Sequence, residues 1–277
     1  MKILAEHEVN LILSKKTVET IEEMESIMLT HEQVDVPVKE RFINGMYARE
    51  ILIPKGTLLT GMVYKEGYLD IMLSGDISVA TPHGTKRMTG SNIMEAPPGR
   101  KRAGYAFQDT RWVTVHRTDK FDPDDMIDKL TFFSMGEYNK FITDRDHESY
   151  KNVLKSYEIT DEEVQEQVQD FSDHSELQSP FDENVIIKES IIHGFGLMAN
   201  KEFEINDVIG IARTSSGGRT IIGRYSNHSA NPNAIMTIKD DSSVLMLATR
   251  KINIGDEITT HYGLTLQNIQ GVGLCQA

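Results

Sequence analysis

Between Gly45 and Arg117 no apolar run is longer than a single strand. Segments such as YAREILI, TLLTGMVY, LDIMLSGDISVA and RWVTVH are short and rich in β-branched and aromatic residues. Turn formers interrupt them at Pro54, Gly56, Gly67, Gly75, Pro82-His83-Gly84 and Pro97-Pro98-Gly99. Branched and aromatic side chains suit a pleated surface, while Gly and Pro supply the φ values of tight turns. Strands this short and closely spaced predict an antiparallel barrel or jelly roll.

Charge divides the 277 residues further. Residues 1–118 carry 15 basic and 15 acidic side chains, residues 119–183 carry 6 and 19, and residues 184–277 carry 8 and 8, so the middle segment accounts for the whole net charge of −13. This predicts two near-neutral domains, 1–118 and 184–277, joined by an acidic helical connector over 119–183. The basic footprint of a nucleic-acid-binding protein is absent. No segment approaches the roughly 18 consecutive apolar residues of a membrane span, and the start, MKILAEHEVN, is too polar for a secretory signal. One cysteine, Cys275, excludes a disulfide framework and a cysteine-based zinc site within the chain. A cytoplasmic location is expected.

Residues 1–13 alternate weakly, as one strand would. Apolar Val18, Ile21, Met24 and Met28 recur at helical spacing and predict a helix over 17–29 with one packing face. Two further helices are predicted over 123–131 and 135–156. Thr160-Asp161-Glu162-Glu163 has the form of a capping box, followed by an apolar stripe of Val164, Val168 and Phe171. Residues 173–180 read as a loop, with strands resuming near Val185.

The segments IPKGTLLTGMVYKEGYLDIMLSGDISV and PPGRKRAGYAFQDTRWVTVHRT resemble the cupin family, in particular small phage-type cupin domains. Cupins that hold a metal present histidines and a carboxylate inside the barrel. Here Tyr64, Tyr68 and Phe107 stand at the matching positions, and only His116 remains. One imidazole does not make a metal site, so the barrel is expected to be metal-free. Tyr64, Tyr68, Phe107 and Trp112 are expected to fill its interior or line a small apolar pocket. Arg100, Lys101 and Arg102 read by default as a solvated basic turn, with anion binding beside the Pro97-Pro98-Gly99 turn as the alternative. By resemblance the module serves targeting or assembly, including homo-oligomer formation.

Three segments farther along resemble, in order, the SET domain of protein-lysine methyltransferases. They are His193-Gly194-Phe195-Gly196-Leu197-Met198-Ala199, then Gly223-Arg224-Tyr225-Ser226-Asn227-His228-Ser229-Ala230-Asn231-Pro232-Asn233, then Gly255-Asp256-Glu257-Ile258-Thr259-Thr260-His261-Tyr262-Gly263. The resemblance implies a compact SET β-fold with a knot-like C-terminal motif. The whole chain is therefore expected to be mainly β. It implies S-adenosylmethionine as cofactor, held by Gly194, Phe195, Gly196, Arg224, Tyr225, Asn227 and His228, with Tyr262 as the catalytic tyrosine. Glycines allow a ligand close to the backbone, and Asn227 has enough donors and acceptors to read an adenine edge. Methyl transfer to an amine is a displacement that depends mainly on orientation and electrostatic setting. Tyr262 is expected to orient the ε-amine of a lysine in a protein substrate, with removal of the amine proton by its phenol as the alternative role. The acidic connector reads first as a solvated, partly helical linker and alternatively as a surface that attracts a basic substrate.

The chain departs from the family pattern in places. Only 13 residues, Ile211 to Gly223, separate the strand ending at Gly210 from Arg224. Ala230 stands where a cysteine is usual, and His261 where an acidic residue is usual. The tail from Thr265 to Ala277 is expected to close over the site. These departures support a second reading, a non-enzymatic and phage-derived scaffold that keeps degenerate cupin and SET domains.

Overall fold

The computed structural model describes residues 18–81, 84–119, 126–176, 181 and 183–269. The chain forms two compact units, Met1–Asn139 and Lys140–Ala277. The division falls inside one helix rather than at either boundary read from charge. The strand read over 1–13 and the tail residues 270–277 with Cys275 lie outside the described residues, as do 123–125 and 177–180.

In the first unit, helix α1 (Val18–Met28) precedes strands β1 (Val38–Ile43) and β2 (Met46–Ile53). Asn44 and Gly45 join the two strands with φ of 45° and 80°. Positive φ at both central residues matches the right-handed twist of a hairpin, which is why Asn-Gly suits it. β3 (Leu58–Thr60), β4 (Val63–Tyr64), β5 (Tyr68–Thr81), β6 (Gly84–Thr89), β7 (Asn92–Ala96) and β8 (Ala103–Arg117) follow, then α2 (Met126–Leu130) and β9 (Thr131–Phe132). One antiparallel sheet runs β1-β2-β8-β5-β6, with β3 also on β8 and β7 also on β5, while β4 pairs with β9. Register slips between Met72 and Ile77 interrupt the long β5–β8 ladder. Gly75 sits there at φ 129°, with the Thr110 side chain in the space a Cβ would need.

Three strands in register set the inward rows of this unit. Tyr47 faces His116, Arg49 faces Thr114 and Ile51 faces Trp112 across β2–β8; Asp70 faces Thr114 and Met72 faces Trp112 across β5–β8. The His116 ring stacks on Tyr64 at 4.6 Å and on Tyr68 at 4.7 Å. Tyr64 and Tyr68 thus form one aromatic cluster with His116. Phe107 lies apart, half-buried beside Tyr105 and under the Arg87 guanidinium at 3.9 Å. On α1, Ile21 is buried against Ala80, Ala103 and Tyr105, as its spacing predicts.

The basic turn is not solvated. Lys101 is 0% exposed and donates to both oxygens of Glu25 at 3.0 and 2.8 Å and to the Phe133 carbonyl at 2.8 Å. Arg102 pairs with the fully buried Asp70 at 2.5 Å and donates to the Tyr68 hydroxyl at 2.6 Å. Partner carboxylates far away in sequence draw these cations inside, which a local reading of three consecutive basic residues misses.

In the second unit, most of helix α3 (Met135–Tyr157) and helix α4 (Asp161–Gln169) lead into the strands. The capping box is present: Thr160 Oγ1 accepts from the Glu163 N–H at 3.2 Å, and Glu163 Oε2 accepts from the Thr160 N–H at 2.8 Å. The stripe behind it is not a packing face, since α4 buries no residue and Val168 and Phe171 are exposed. β10 (Val185–Glu189), β11 (Phe195–Ala199), β16 (Glu257–Thr260) and β13 (Asn227–His228) make one sheet in that order. β12 (Val208–Arg213), β15 (Val244–Ala248) and β14 (Ala234–Ile238) make another. Short helices α5 (Ile221–Arg224) and α6 (Tyr262–Ile269) follow β12 and β16. The core includes fully buried Leu197, Phe203, Ile209, Ile222, Ile252 and Ile258, each worth about 1.5–3 kcal/mol of burial.

Candidate functional site

The glycine turn, the Asn-His pair and Tyr262 all belong to the second unit. β13 lies parallel to β16, with Asn227 beside Thr259 and His228 beside Thr260. Asn233 locks the pairing, donating to the Glu257 carbonyl at 2.8 Å and accepting from the Thr259 N–H at 2.9 Å. This sets the residues just after Thr260 next to His228.

At one end, Asn227 Nδ2 reaches three acceptors: the carbonyls of His193 and Phe195, each at 3.2 Å, and Glu257 Oε1 at 2.8 Å. Glu257 also accepts from Ser190 Oγ at 2.8 Å. Gly194 has φ 49°, and at Gly196 a Cβ would overlap the Glu257 carboxylate, so glycine there makes room for that charge. Phe195 is 58% exposed. The second sequence motif therefore holds the first in shape by direct hydrogen bonds.

At the other end, the Tyr262 N–H donates to His228 Nδ1 at 3.1 Å, and His228 Nε2 lies 2.9 Å from Ser149 Oγ. A backbone N–H can only donate, so Nδ1 is unprotonated and the ring's proton sits on Nε2, directed at Ser149. Burial, then the neighbouring His261, lowers the His228 pKa to about 4, in agreement with a neutral ring. Tyr262 opens helix α6 rather than lying in a strand, and its hydroxyl donates to the Ser226 carbonyl at 3.1 Å. Burial, then the Glu257 charge, pushes its pKa up to about 12. At neutral pH this phenol stays protonated and is a poor base.

Helix α3 contributes a wall that spacing did not reveal. Besides Ser149, Asp146 accepts from the Ala230 N–H at 3.0 Å, Tyr150 meets the Tyr262 ring edge-on at 6.1 Å, and Tyr157 donates to the Gly263 carbonyl at 3.1 Å. Their only sequence signal was polar and aromatic residues at positions 146, 149, 150 and 157, one helix face. Glu257 and Ser190 were also missed; a carboxylate two residues after Gly255 reads as an ordinary turn residue.

Two candidate residues stand elsewhere. Arg224 donates to the Asp170 carbonyl at 2.8 Å, pairs with Asp173 and lies over Phe171 at 4.4 Å. Arg219 joins the same carboxylate at 2.5 Å. Tyr225 packs partly buried on the core. Arg224 thus ties α5 to the segment after α4, its guanidinium spent on that link.

The SET domain family profile matches residues 21–263, most of the chain. The protein belongs to the SET domain family. None of the curated proteins compared matches it. Solved structures similar to it include a cupin superfamily protein from Desulfitobacterium hafniense, at 10% identity over 32% of this chain and 83% of that one, TM-score 0.28. A cupin family protein with a double-stranded β-helix fold from Methanocaldococcus jannaschii matches at 12% identity over 32% and 84%, TM-score 0.27. KdgF from Halomonas sp. matches at 14% identity over 36% and 94%, TM-score 0.29. Among the described residues no helix is long and apolar enough to cross a membrane, and no group of three or more His, Cys, Asp or Glu has metal-holding geometry.

Buried imidazoles give the fold a pH dependence. His116 and His228, one in each unit, have pKa values lowered by burial from 6.5 to about 4. The unfolded chain binds these protons near pH 6.5 and the folded chain only near pH 4, so unfolding takes up protons between those values. Their contribution is complete above the unfolded pKa and is lost as pH falls towards 4, up to about 3 kcal/mol for each ring. Urea melts at pH 7 and 5 should show lower stability at pH 5, and His228→Gln should reduce the difference. An undiminished difference in that variant would remove His228 from the account.

Proposed function

We propose that this protein is an S-adenosylmethionine-dependent protein-lysine methyltransferase of the cytoplasm, and that its first unit serves targeting or assembly. The observation that carries the reading is the unbroken series of contacts from the His193-Gly194-Phe195 turn through Asn227 and His228 to Tyr262. Family membership supports the class of reaction, and this series supports the choice of residues that would perform it.

The donor set suits a cationic methyl donor. Two turn carbonyls and the Glu257 carboxylate converge on one amide group, an acceptor-rich site with negative charge. Asn227, Glu257 and the Gly194 turn would hold the cofactor, which supplies a methyl group on a sulfonium. The chain's own residues do the rest. His228 fixes the backbone of Tyr262, Ser149 fixes the imidazole, and the protonated Tyr262 hydroxyl orients the neutral ε-amine of the substrate lysine. Holding a reacting pair in line is worth several kcal/mol in such displacements.

One observation favours the scaffold reading instead. The Asn227 amide and both His228 nitrogens already have protein partners, as a purely structural constellation would. Calorimetric titration with S-adenosylmethionine separates the two. Saturable binding, with label transferred from methyl-labelled cofactor to lysine in a basic peptide, supports the enzyme; no heat and no thermal stabilisation support the scaffold.

A further inference from the structure

The first unit carries a partly open pocket of about 310 Å³, at the lower end of the range that small-molecule sites occupy. Its wall is mainly apolar, with Ile51, Ile53, Leu59, Ile77, Val79 and Trp112 on it. A few polar groups interrupt this surface, and two of them lack an ion pair or a well-formed hydrogen bond among the described residues.

The first is Arg49. It lines the cavity from β2, half-buried, with no carboxylate within ion-pair distance among the described residues. The acidic residues of the neighbouring strands are committed elsewhere. Glu40, its cross-strand neighbour on β1, accepts from the Tyr47 hydroxyl. Glu50 takes Arg41 at 2.8 Å and Arg111 at 2.5 Å. Asp70 takes the Trp112 indole N–H at 2.7 Å and Arg102 at 2.5 Å. With Arg102 paired to Asp70, Arg49 is the cation of the cavity wall that no carboxylate contacts in an ion pair among the described residues.

The second is Thr114. Its Oγ1 is buried, lines the same cavity and has no hydrogen-bond partner. Burial raises the Tyr64 pKa and the neighbouring Thr114 hydroxyl lowers it again in part, a weak interaction that leaves Oγ1 without a well-formed hydrogen bond. Thr114 is the register partner of Arg49 across β2–β8, so hydroxyl and guanidinium stand side by side on one inward row. A buried hydroxyl left unpaired costs about 1–3 kcal/mol, and a guanidinium presents a fork matched to a carboxylate.

We propose that this cavity binds a small monocarboxylate with an apolar body, its carboxylate held by Arg49 and Thr114 and its body against the Trp112 side of the wall. One negative charge balances one unpaired cation, and the apolar lining disfavours a small, strongly hydrated anion. The site is independent of the methyltransferase reading, since its residues all belong to the first unit.

Trp112 is the chain's one tryptophan, so its emission reports on the cavity directly. The full chain would be titrated with hexanoate, octanoate and cyclohexanecarboxylate, with hexanamide and cyclohexanecarboxamide as uncharged counterparts and inorganic phosphate as competitor. At least one acid should change Trp112 emission saturably and bind about tenfold or more tighter than its amide, a gap of about 1.4 kcal/mol. Arg49→Met should remove that gap while leaving the amide affinity and melting temperature unchanged, and Thr114→Val should narrow it. The proposal fails if no acid gives a saturable change, if acid and amide bind alike, or if phosphate binds as tightly as the acids.

Discussion

Tyr262→Phe is expected to lower methyl transfer to a peptide lysine by roughly 10²-fold or more, the scale on which loss of one preorganised polar group acts in catalysis. Binding of S-adenosylmethionine should change little, because Asn227, Glu257 and the Gly194 turn keep their mutual contacts. The fold should survive. The hydroxyl's one hydrogen bond goes to the Ser226 carbonyl at 3.1 Å, and losing such a bond costs about 1 kcal/mol. The Tyr262 N–H to His228 contact is backbone and remains. Single-turnover labelling and calorimetry on the same preparation check both halves. Unchanged labelling would refute the role assigned to the phenol. Loss of cofactor binding together with labelling would mean that the hydroxyl holds the pocket rather than the amine.

The largest stability effect should come from the first unit. Glu25→Leu leaves Lys101, 0% exposed, with its charge uncompensated among Phe133 and the surrounding strands. Removing one member of a buried pair costs about 3–5 kcal/mol, whereas replacing both with apolar residues is often close to neutral. Glu25→Leu should therefore lower the urea midpoint sharply, and Glu25→Leu with Lys101→Met should recover most of the loss. Thr60, whose hydroxyl donates to Glu25 at 2.6 Å, loses its acceptor in both variants and accounts for incomplete recovery. Trp112 emission follows the transition within the first unit. Equal destabilisation of single and double variants would show that apolar packing, and not the unpaired ammonium, sets the cost.

Local order was legible in the sequence wherever one residue and its near neighbours decide the outcome. Capping at Thr160, the helical spacing of Ile21 and Met24 and the strand runs between Gly45 and Arg117 follow from short-range sterics and hydrogen bonding. The three SET-like motifs were legible for the same reason: each is a short stretch whose residue types state their chemistry. Hidden were the relations that join residues far apart in sequence. Lys101 looked solvated because Glu25 is 76 residues away. The apolar stripe at Val164, Val168 and Phe171 was legible, but periodicity does not say whether a partner surface exists, and α4 buries no residue. Ser149 and Asp146 looked like members of an acidic connector until they met His228 and Ala230. Composition and spacing determined which elements form and which residues can do chemistry. Tertiary structure alone decided which carboxylate meets which cation, which imidazole nitrogen carries the proton, and that Arg49 and Thr114 face a cavity unpaired, because burial and pairing depend on the whole surrounding shell and not on neighbours in the chain.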